Sequence, residues 1–222
     1  MSSKISLVIP VFNESVEVEN FFKNLKKCDF DLINEIIFVD DCSTDNSYSL
    51  IEEKIKEYKN SISNINILLI SNLKNRGYGF SIKKGVNTSS NNSIAIIDLD
   101  RTYSIEDLNN ISRQFVKDFQ FKCDLIAGQR NINSSNTTKL KIVGKTIINS
   151  IANFCFNEKI ADYNSGLRIF NKEKFLKHVH MLSNRFSLTT SMTITFLNEN
   201  YDIKFIKINY DKRSGYSKLG FL

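Results

Sequence analysis

The apolar positions of this chain fall into two alternating rhythms. Short unbroken runs at Ile5 to Ile9, Glu35 to Val39, Ile65 to Ile70 and Ser93 to Ile97 have the length of strands buried on both faces. Between them, apolar residues recur every three to four positions. Glu14 to Lys27 sets Val18, Phe21, Phe22 and Leu25 on one helical face, and Asp45 to Tyr58 opens on a cluster of capping residues. Gly77 to Val86 reads as a short helix, and Ile105 to Phe119 turns Leu108, Ile111 and Phe115 inward. Strand and helix in alternation predict an α/β domain, a parallel sheet covered by helices. Beyond Asp124 to Ala127 the alternation loosens. The pattern there predicts a long helix from about Leu140 to Phe156, a strand at Ser165 to Phe170, helices at Lys172 to His178 and Leu188 to Glu199, and a last strand at Ile203 to Ile208.

Length changes this picture little: 222 residues with 41% hydrophobic and 24% charged content make one substantial core, so residues 1–222 are expected to form a single domain. There is no internal repeat, and the Asn/Ser clusters read as surface loops. The net charge of +6 admits nucleic acid, an anionic membrane or phosphorylated substrates, but no basic run interleaved with aromatics supports a nucleic-acid binder. Cys28, Cys42, Cys123 and Cys155 stand far apart without metal-ligand spacing, and the start has no apolar signal core, so a reducing, cytoplasmic setting is expected. No run of eighteen apolar residues occurs to span a bilayer. Leu140 to Phe156 comes nearest and reads as an amphipathic, core-facing helix, with a membrane-surface helix as the alternative.

Chemistry concentrates at the strand ends. Ser93 to Asp100 is an apolar run that stops on two carboxylates one residue apart, and an open α/β sheet delivers whatever sits at a strand's carboxyl end into the ligand crevice. Asp98 and Asp100 therefore suit a hard cation, which takes one or two carboxylates and completes its shell with water and phosphate oxygens. Asp29-Phe30-Asp31 has the same spacing but lies between a helix and a strand, where solvated loop acids are expected. Two further strand ends, Pro10-Val11-Phe12-Asn13-Glu14 and Asp40-Asp41-Cys42-Ser43-Thr44-Asp45, should converge on the same crevice. Helix capping is the plainer reading for Ser43, Thr44 and Asp45, and a helix start for Asn13 and Glu14.

These residues resemble the inverting glycosyltransferases of family two, with the GT-A fold. Val8 to Glu14 is similar to that family's first motif, Ile37 to Asp45 to its second, and Asn75-Arg76-Gly77 with Gly85 to its third. The resemblance covers essentially the whole chain. It implies a Rossmann-like, mostly parallel sheet with helices on both faces, a nucleotide-sugar half over about 1–120 and an acceptor half over about 121–222. It also implies that Pro10, Val11, Asn13, Glu14, Asp40, Asp41, Asn75 and Gly77 hold the nucleotide-diphosphate sugar, and that Asp98 and Asp100 handle Mg2+ or Mn2+ and the diphosphate.

Within the family, the second half looks most like the polyprenyl-phosphate hexosyltransferases acting on dolichyl or undecaprenyl phosphate. Gly128-Gln129-Arg130, Asp162 to Arg168 and Arg213 to Lys218 carry that likeness. It implies that Arg130, Arg168, Arg213 and Lys218 surround the phosphates and act catalytically with Asp100, and that Asp162, Ser165 and Ser217 bind substrate. Arginine suits phosphate because its planar fork donates two parallel hydrogen bonds. The chain departs from the pattern at Thr102, where these enzymes carry Gln, at Arg101, which replaces an apolar residue, and at Ser81, where Ala is common.

A sugar hydroxyl needs a carboxylate base, whereas a lipid phosphate is already ionised. No acid occurs in Arg185 to Met192, where hydroxyl-using relatives place one. The expected reaction is transfer of a hexose to a polyprenyl phosphate at the cytoplasmic membrane face, with Asp162 as the base for the alternative, a saccharide acceptor in capsule or lipopolysaccharide synthesis. A noncatalytic nucleotide-sugar-binding subunit is the other reading, and a membrane-anchoring segment or subunit outside this chain would accompany the lipid acceptor.

Overall fold

A computed structural model of the chain describes residues 4–59, 65–100, 102–119, 123–130 and 162–209. Strands β1 (Ile5–Val11), β2 (Ile33–Asp40), β3 (Asn66–Ser71), β4 (Ser93–Ile96), β5 (Leu125–Arg130), β6 (Arg168–Asn171) and β7 (Ile203–Ile208) make one sheet in the order β3-β2-β1-β4-β6-β5-β7. Every pairing is parallel except those of β6 with β4 and β5. The reversed strand matters. Because β6 runs backwards, the segment entering it at 162–167 lies at the same edge as the carboxyl ends of the other strands.

Helices α1 (Ser15–Leu25), α2 (Ser47–Lys59), α3 (Tyr78–Thr88), α4 (Ile105–Phe119), α5 (Lys172–Lys177) and α6 (Leu188–Asn198) cover both faces. Side chains alternate across a strand, and the sheet uses both sides. Leu7, Ile9, Ile36 and Phe38 pack with residues of α1, α2 and α4, while Val8, Ile37 and Val39 pack with residues of α3 and α6. Phe22 stacks on Phe38 at 5.3 Å and meets the Tyr58 ring edge-on at 5.8 Å. Each such fully buried side chain stabilises the fold by about 1.5–3 kcal/mol. On the other face, Gly85 lets α3 sit directly on β1, since a Cβ there would lie 2.5 Å from a Val8 methyl.

Among the described residues the predicted elements stand within a few residues of those observed. The strand expected from Ser165 begins at Arg168, because Asp162 to Leu167 is used to close the site edge. The helix expected from Asp45 begins at Ser47, because the Asp45 carboxylate caps it by accepting from the Ser47 amide and hydroxyl at 2.9 and 2.5 Å. Asp29, expected to be a solvated loop acid, instead accepts from Arg113 Nε at 2.8 Å, tying its loop to α4. Cys28, Cys42 and Cys123 are free thiols. The predicted helix at 140–156 and Cys155 lie outside the described residues.

Candidate functional site

A cavity of about 430 Å³ opens at the carboxyl edge of the sheet. Its walls include Pro10 and Val11 at the end of β1 with Glu14 beyond it, Asp41 after β2, Asn75 and Gly77 after β3, Asp98 and Asp100 after β4, and Arg130 at the end of β5. Topology alone explains the convergence, since parallel strands end together. Asp98 is half-buried and Asp100 buried, and both face this space.

Each of these two carboxylates has a dedicated positioning donor. The Tyr78 hydroxyl donates to Asp98 Oδ1 at 3.0 Å, and burial, with the Asp98 charge second, pushes the Tyr78 phenol well above its ordinary range. Asp100 Oδ1 accepts from both the Thr102 hydroxyl, at 2.6 Å, and the Thr102 amide, at 3.2 Å. Thr102 departs from the resembled pattern, yet here it orients the acid beside it. Gly166 approaches so closely that a Cβ would lie 2.6 Å from Asp98 Oδ2, and its amide donates to the Tyr103 hydroxyl at 2.7 Å.

Among the described residues no group of three or more His, Cys, Asp or Glu gathers as a metal cage. A two-carboxylate set on an open cavity nevertheless fits Mg2+ or Mn2+, which keep several positions for water and phosphate oxygens. Asp98 and Asp100 are the residues that would hold the ion.

Asp41 is committed to backbone: its carboxylate accepts from the amides of Arg76 and Gly77 at 2.8 and 2.7 Å and from Asn72 Nδ2 at 2.8 Å. It thereby shapes the Asn75–Gly77 wall, where Gly77 adopts φ +97. Asp40 sits behind the lining at 3% exposure; Oδ2 accepts from the Ser43 amide at 3.1 Å, and the buried Oδ1 has no partner among the described residues. Asn13, in the left-handed region at φ 51, turns its side chain to the Thr44 amide at 2.8 Å and joins the first two loops rather than lining the cavity.

The arginines separate. Arg130 lines the cavity and forks onto Asp162, with Nε to Oδ2 at 2.6 Å and Nη2 to Oδ1 at 2.8 Å. Asp162 is thereby held in an ion pair at 2% side-chain exposure. Arg168, expected beside the phosphates, is corrected by the structure: it has no exposed surface and donates to the carbonyls of Ser165, Thr189 and Tyr163 and to Thr193 Oγ1 at 2.6–2.9 Å. Burial lowers its pKa to about 10. It braces the 162–167 segment against α6. Ser165 is likewise buried and outside the lining. Arg101, Arg213, Ser217 and Lys218 lie outside the described residues.

Sequence reasoning missed Tyr78, Tyr103, Arg185, Phe186 and Thr189, all on the cavity wall. An aromatic immediately after Asn75-Arg76-Gly77 was the available signal for Tyr78; the 185–192 segment stands out in the sequence for its lack of an acid, but its own side chains are not read there as lining the site, because it reaches the site only by folding over α3.

Comparison with known proteins bears on family and fold. The sequence profile of Glycosyl transferase family 2 matches residues 6–179. The chain is 23% identical over 182 residues to dolichyl-phosphate beta-glucosyltransferase of Dictyostelium discoideum, covering 76% of this chain and 54% of that protein. It is 25% identical over 174 residues to undecaprenyl-phosphate 4-deoxy-4-formamido-L-arabinose transferase of Proteus mirabilis, covering 77% and 49%. The chain thus spans about half the length of these two relatives. Among solved structures, glucosyl-3-phosphoglycerate synthase of Mycobacterium tuberculosis in complex with Mn2+, UDP-glucose and phosphoglyceric acid superposes with a TM-score of 0.68 at 15% identity, over 97% of this chain and 73% of that one. That likeness is one of fold.

Proposed function

The chain belongs to Glycosyl transferase family 2, and on that premise we propose that it is a metal-dependent inverting glycosyltransferase moving a hexose from a nucleotide-diphosphate sugar to a polyprenyl phosphate. The observation that carries the acceptor assignment is the Arg130–Asp162 fork. Asp162 is the carboxylate that a hydroxyl acceptor would need as its base, and both its oxygens accept from Arg130. An ionised lipid phosphate needs no base. The absence of any acid in 185–192 supports the same reading, as do two relatives with dolichyl phosphate and undecaprenyl phosphate in their names.

In this reading the nucleotide lies against Pro10, Val11 and Glu14, with Asn75 and Gly77 on the other side. Asp40, behind this wall, fixes the second loop through the Ser43 amide. A bound Mg2+ or Mn2+ would neutralise charge on the leaving diphosphate. The chain's own part is preorganisation: Tyr78 and Thr102 fix the two carboxylates, Asp41 fixes the loop wall, and Arg130, oriented by Asp162, presents positive charge to the anionic substrates. The acceptor oxygen then attacks the anomeric carbon in line as the diphosphate departs. Arg213, Ser217 and Lys218 are proposed to complete the phosphate surroundings, and the protein to work peripherally at the cytoplasmic membrane face, anchored by a segment or subunit outside this chain. Among the described residues no helix is long and apolar enough to cross a membrane.

Purified protein with Mn2+, radiolabelled nucleotide sugars and a short-chain polyprenyl phosphate should yield organic-extractable label. Label passing only to soluble saccharides would overturn the acceptor. Asp100→Ala should reduce transfer at least about a hundredfold with an unchanged circular dichroism spectrum.

A further inference from the structure

We propose that the face beside the cavity mouth, built from the loop after β3, helix α3 and the 182–187 turn, docks on an anionic lipid bilayer. This deepens the reading above, on which it rests only in that a membrane presents the acceptor. The chain has 24 acidic residues, yet none falls between Glu57 and Asp98 or between Glu173 and Glu199. The fold lays these two acid-free stretches together. The Asn184 carbonyl accepts from the Phe80 amide at 3.0 Å, and Lys83 Nζ donates to the Leu182 carbonyl at 2.6 Å and to Asn184 Oδ1 at 2.8 Å. Gly79 lies so near the turn that a Cβ would stand 2.3 Å from the Ser183 carbonyl oxygen.

The result is a face of one sign. A shallow groove there is lined by Leu73, Lys74, Arg76, Phe80, Lys83 and Lys84, with Arg185 in the adjoining turn. Several cations elsewhere are matched, Lys54 to Glu19, Lys56 to Glu52, Arg113 to Asp29 and Lys174 to Asp124. Among the described residues none of the five cations here has an acidic partner, and the lysine contacts go to neutral oxygens. Unmatched charge of one sign attracts an anionic surface.

Apolar tips select the kind of surface. Leu73 is wholly exposed at the end of its loop, and Phe186 is 49% exposed at the mouth. Basic groups around projecting apolar side chains suit a bilayer interface, where the cations meet headgroups and the tips enter the acyl boundary. A single-stranded nucleic acid would need free projecting rings for its bases; Phe80 lies instead under the Arg76 guanidinium at 4.1 Å, Phe186 stacks on Tyr78 at 5.9 Å, and the most exposed tip is a leucine. Asn75, Gly77, Arg185 and Phe186 also line the cavity, so docking would bring its mouth to the headgroup layer.

Sedimentation of the whole chain with vesicles tests this. Vesicles of equal parts phosphatidylcholine and phosphatidylglycerol should bind it and pure phosphatidylcholine should not, with binding weakened by salt. The double variant Leu73→Asp, Lys74→Glu should bind the anionic vesicles at least about tenfold more weakly, each basic side chain at such a surface being worth about fivefold. Neither residue lines the cavity, so labelling of a water-soluble short-chain polyprenyl phosphate should stay at the parent level. The chain has no tryptophan, and the single variant Leu73→Trp should show blue-shifted indole emission on adding anionic vesicles. Equal binding by parent and double variant, an emission from the Leu73→Trp variant that vesicles leave unshifted, or binding of a single-stranded oligonucleotide that anionic vesicles do not displace would each overturn the docking face. Vesicle binding lost in the double variant, with no label on the short-chain acceptor, would keep the face and sink the acceptor reading instead.

Discussion

Arg130 and Arg168 carry the same side chain into the same neighbourhood, and their acceptors divide their work. Arg130 meets a carboxylate at the cavity wall; Arg168 meets carbonyls inside the protein. Arg168→Met should therefore act on stability before chemistry, because it takes the guanidinium donor from the buried Ser165 carbonyl and leaves those of Tyr163 and Thr189 with the Thr193 hydroxyl in its place. A loss of about 3 kcal/mol in urea unfolding is expected, and Arg168→Lys should recover little of it, since a point donor cannot span acceptors spread around the edge of a planar guanidinium. The residue types needed at the site were legible, because carboxylates at a strand end have few other uses. Which arginine lines the cavity was not legible, because that depends on carbonyls elsewhere in the chain, that of Thr189 on helix α6.

Helix α3 shows how an element sets the site. Its entry needs a residue at φ +97, the preceding amides are gathered by Asp41, and its first turn delivers Tyr78 to Asp98. Gly77→Ala strains this entry twice, by its left-handed backbone and by a Cβ 2.7 Å from the Asn184 carbonyl oxygen. We expect it to cost about 1–3 kcal/mol in thermal unfolding and to raise KM for the nucleotide sugar more than it lowers kcat. The motif announced a turn and a helix here. That the turn would be roofed by residues 183–186 was invisible, because no local pattern encodes which distant loop closes over a helix end.

The whole molecule carries a pH signature through groups buried uncharged. Burial is the leading cause that raises the Tyr58, Tyr78 and Tyr103 phenols and pushes the Cys28 thiol up to about 12. In the unfolded chain these groups ionise near pH 9–10, while the folded protein still holds their protons. Their stabilising contribution is therefore complete below about pH 9 and is lost as pH rises through the folded values. Arg168, lowered to about 10, and Lys83, also lowered by desolvation, oppose this, while the Tyr163 phenol, raised first by burial, adds to it. Denaturant midpoints should fall steadily above about pH 9, with tyrosinate absorbance appearing in step with unfolding.

What the sequence determined by itself was the alternation of buried strands and amphipathic helices, hence a parallel sheet, hence acids gathered at one edge of it. Those are consequences of short-range periodicity and of strand direction, and a single chain displays them without folding. Tertiary structure alone decided that β6 runs backwards and carries Asp162 to the site, that Arg130 takes that carboxylate while Arg168 is buried, and that two acid-free stretches share one face. Each depends on contacts between segments far apart in the chain, where packing and the demand that every buried polar group find a partner select one arrangement among many that local pattern permits.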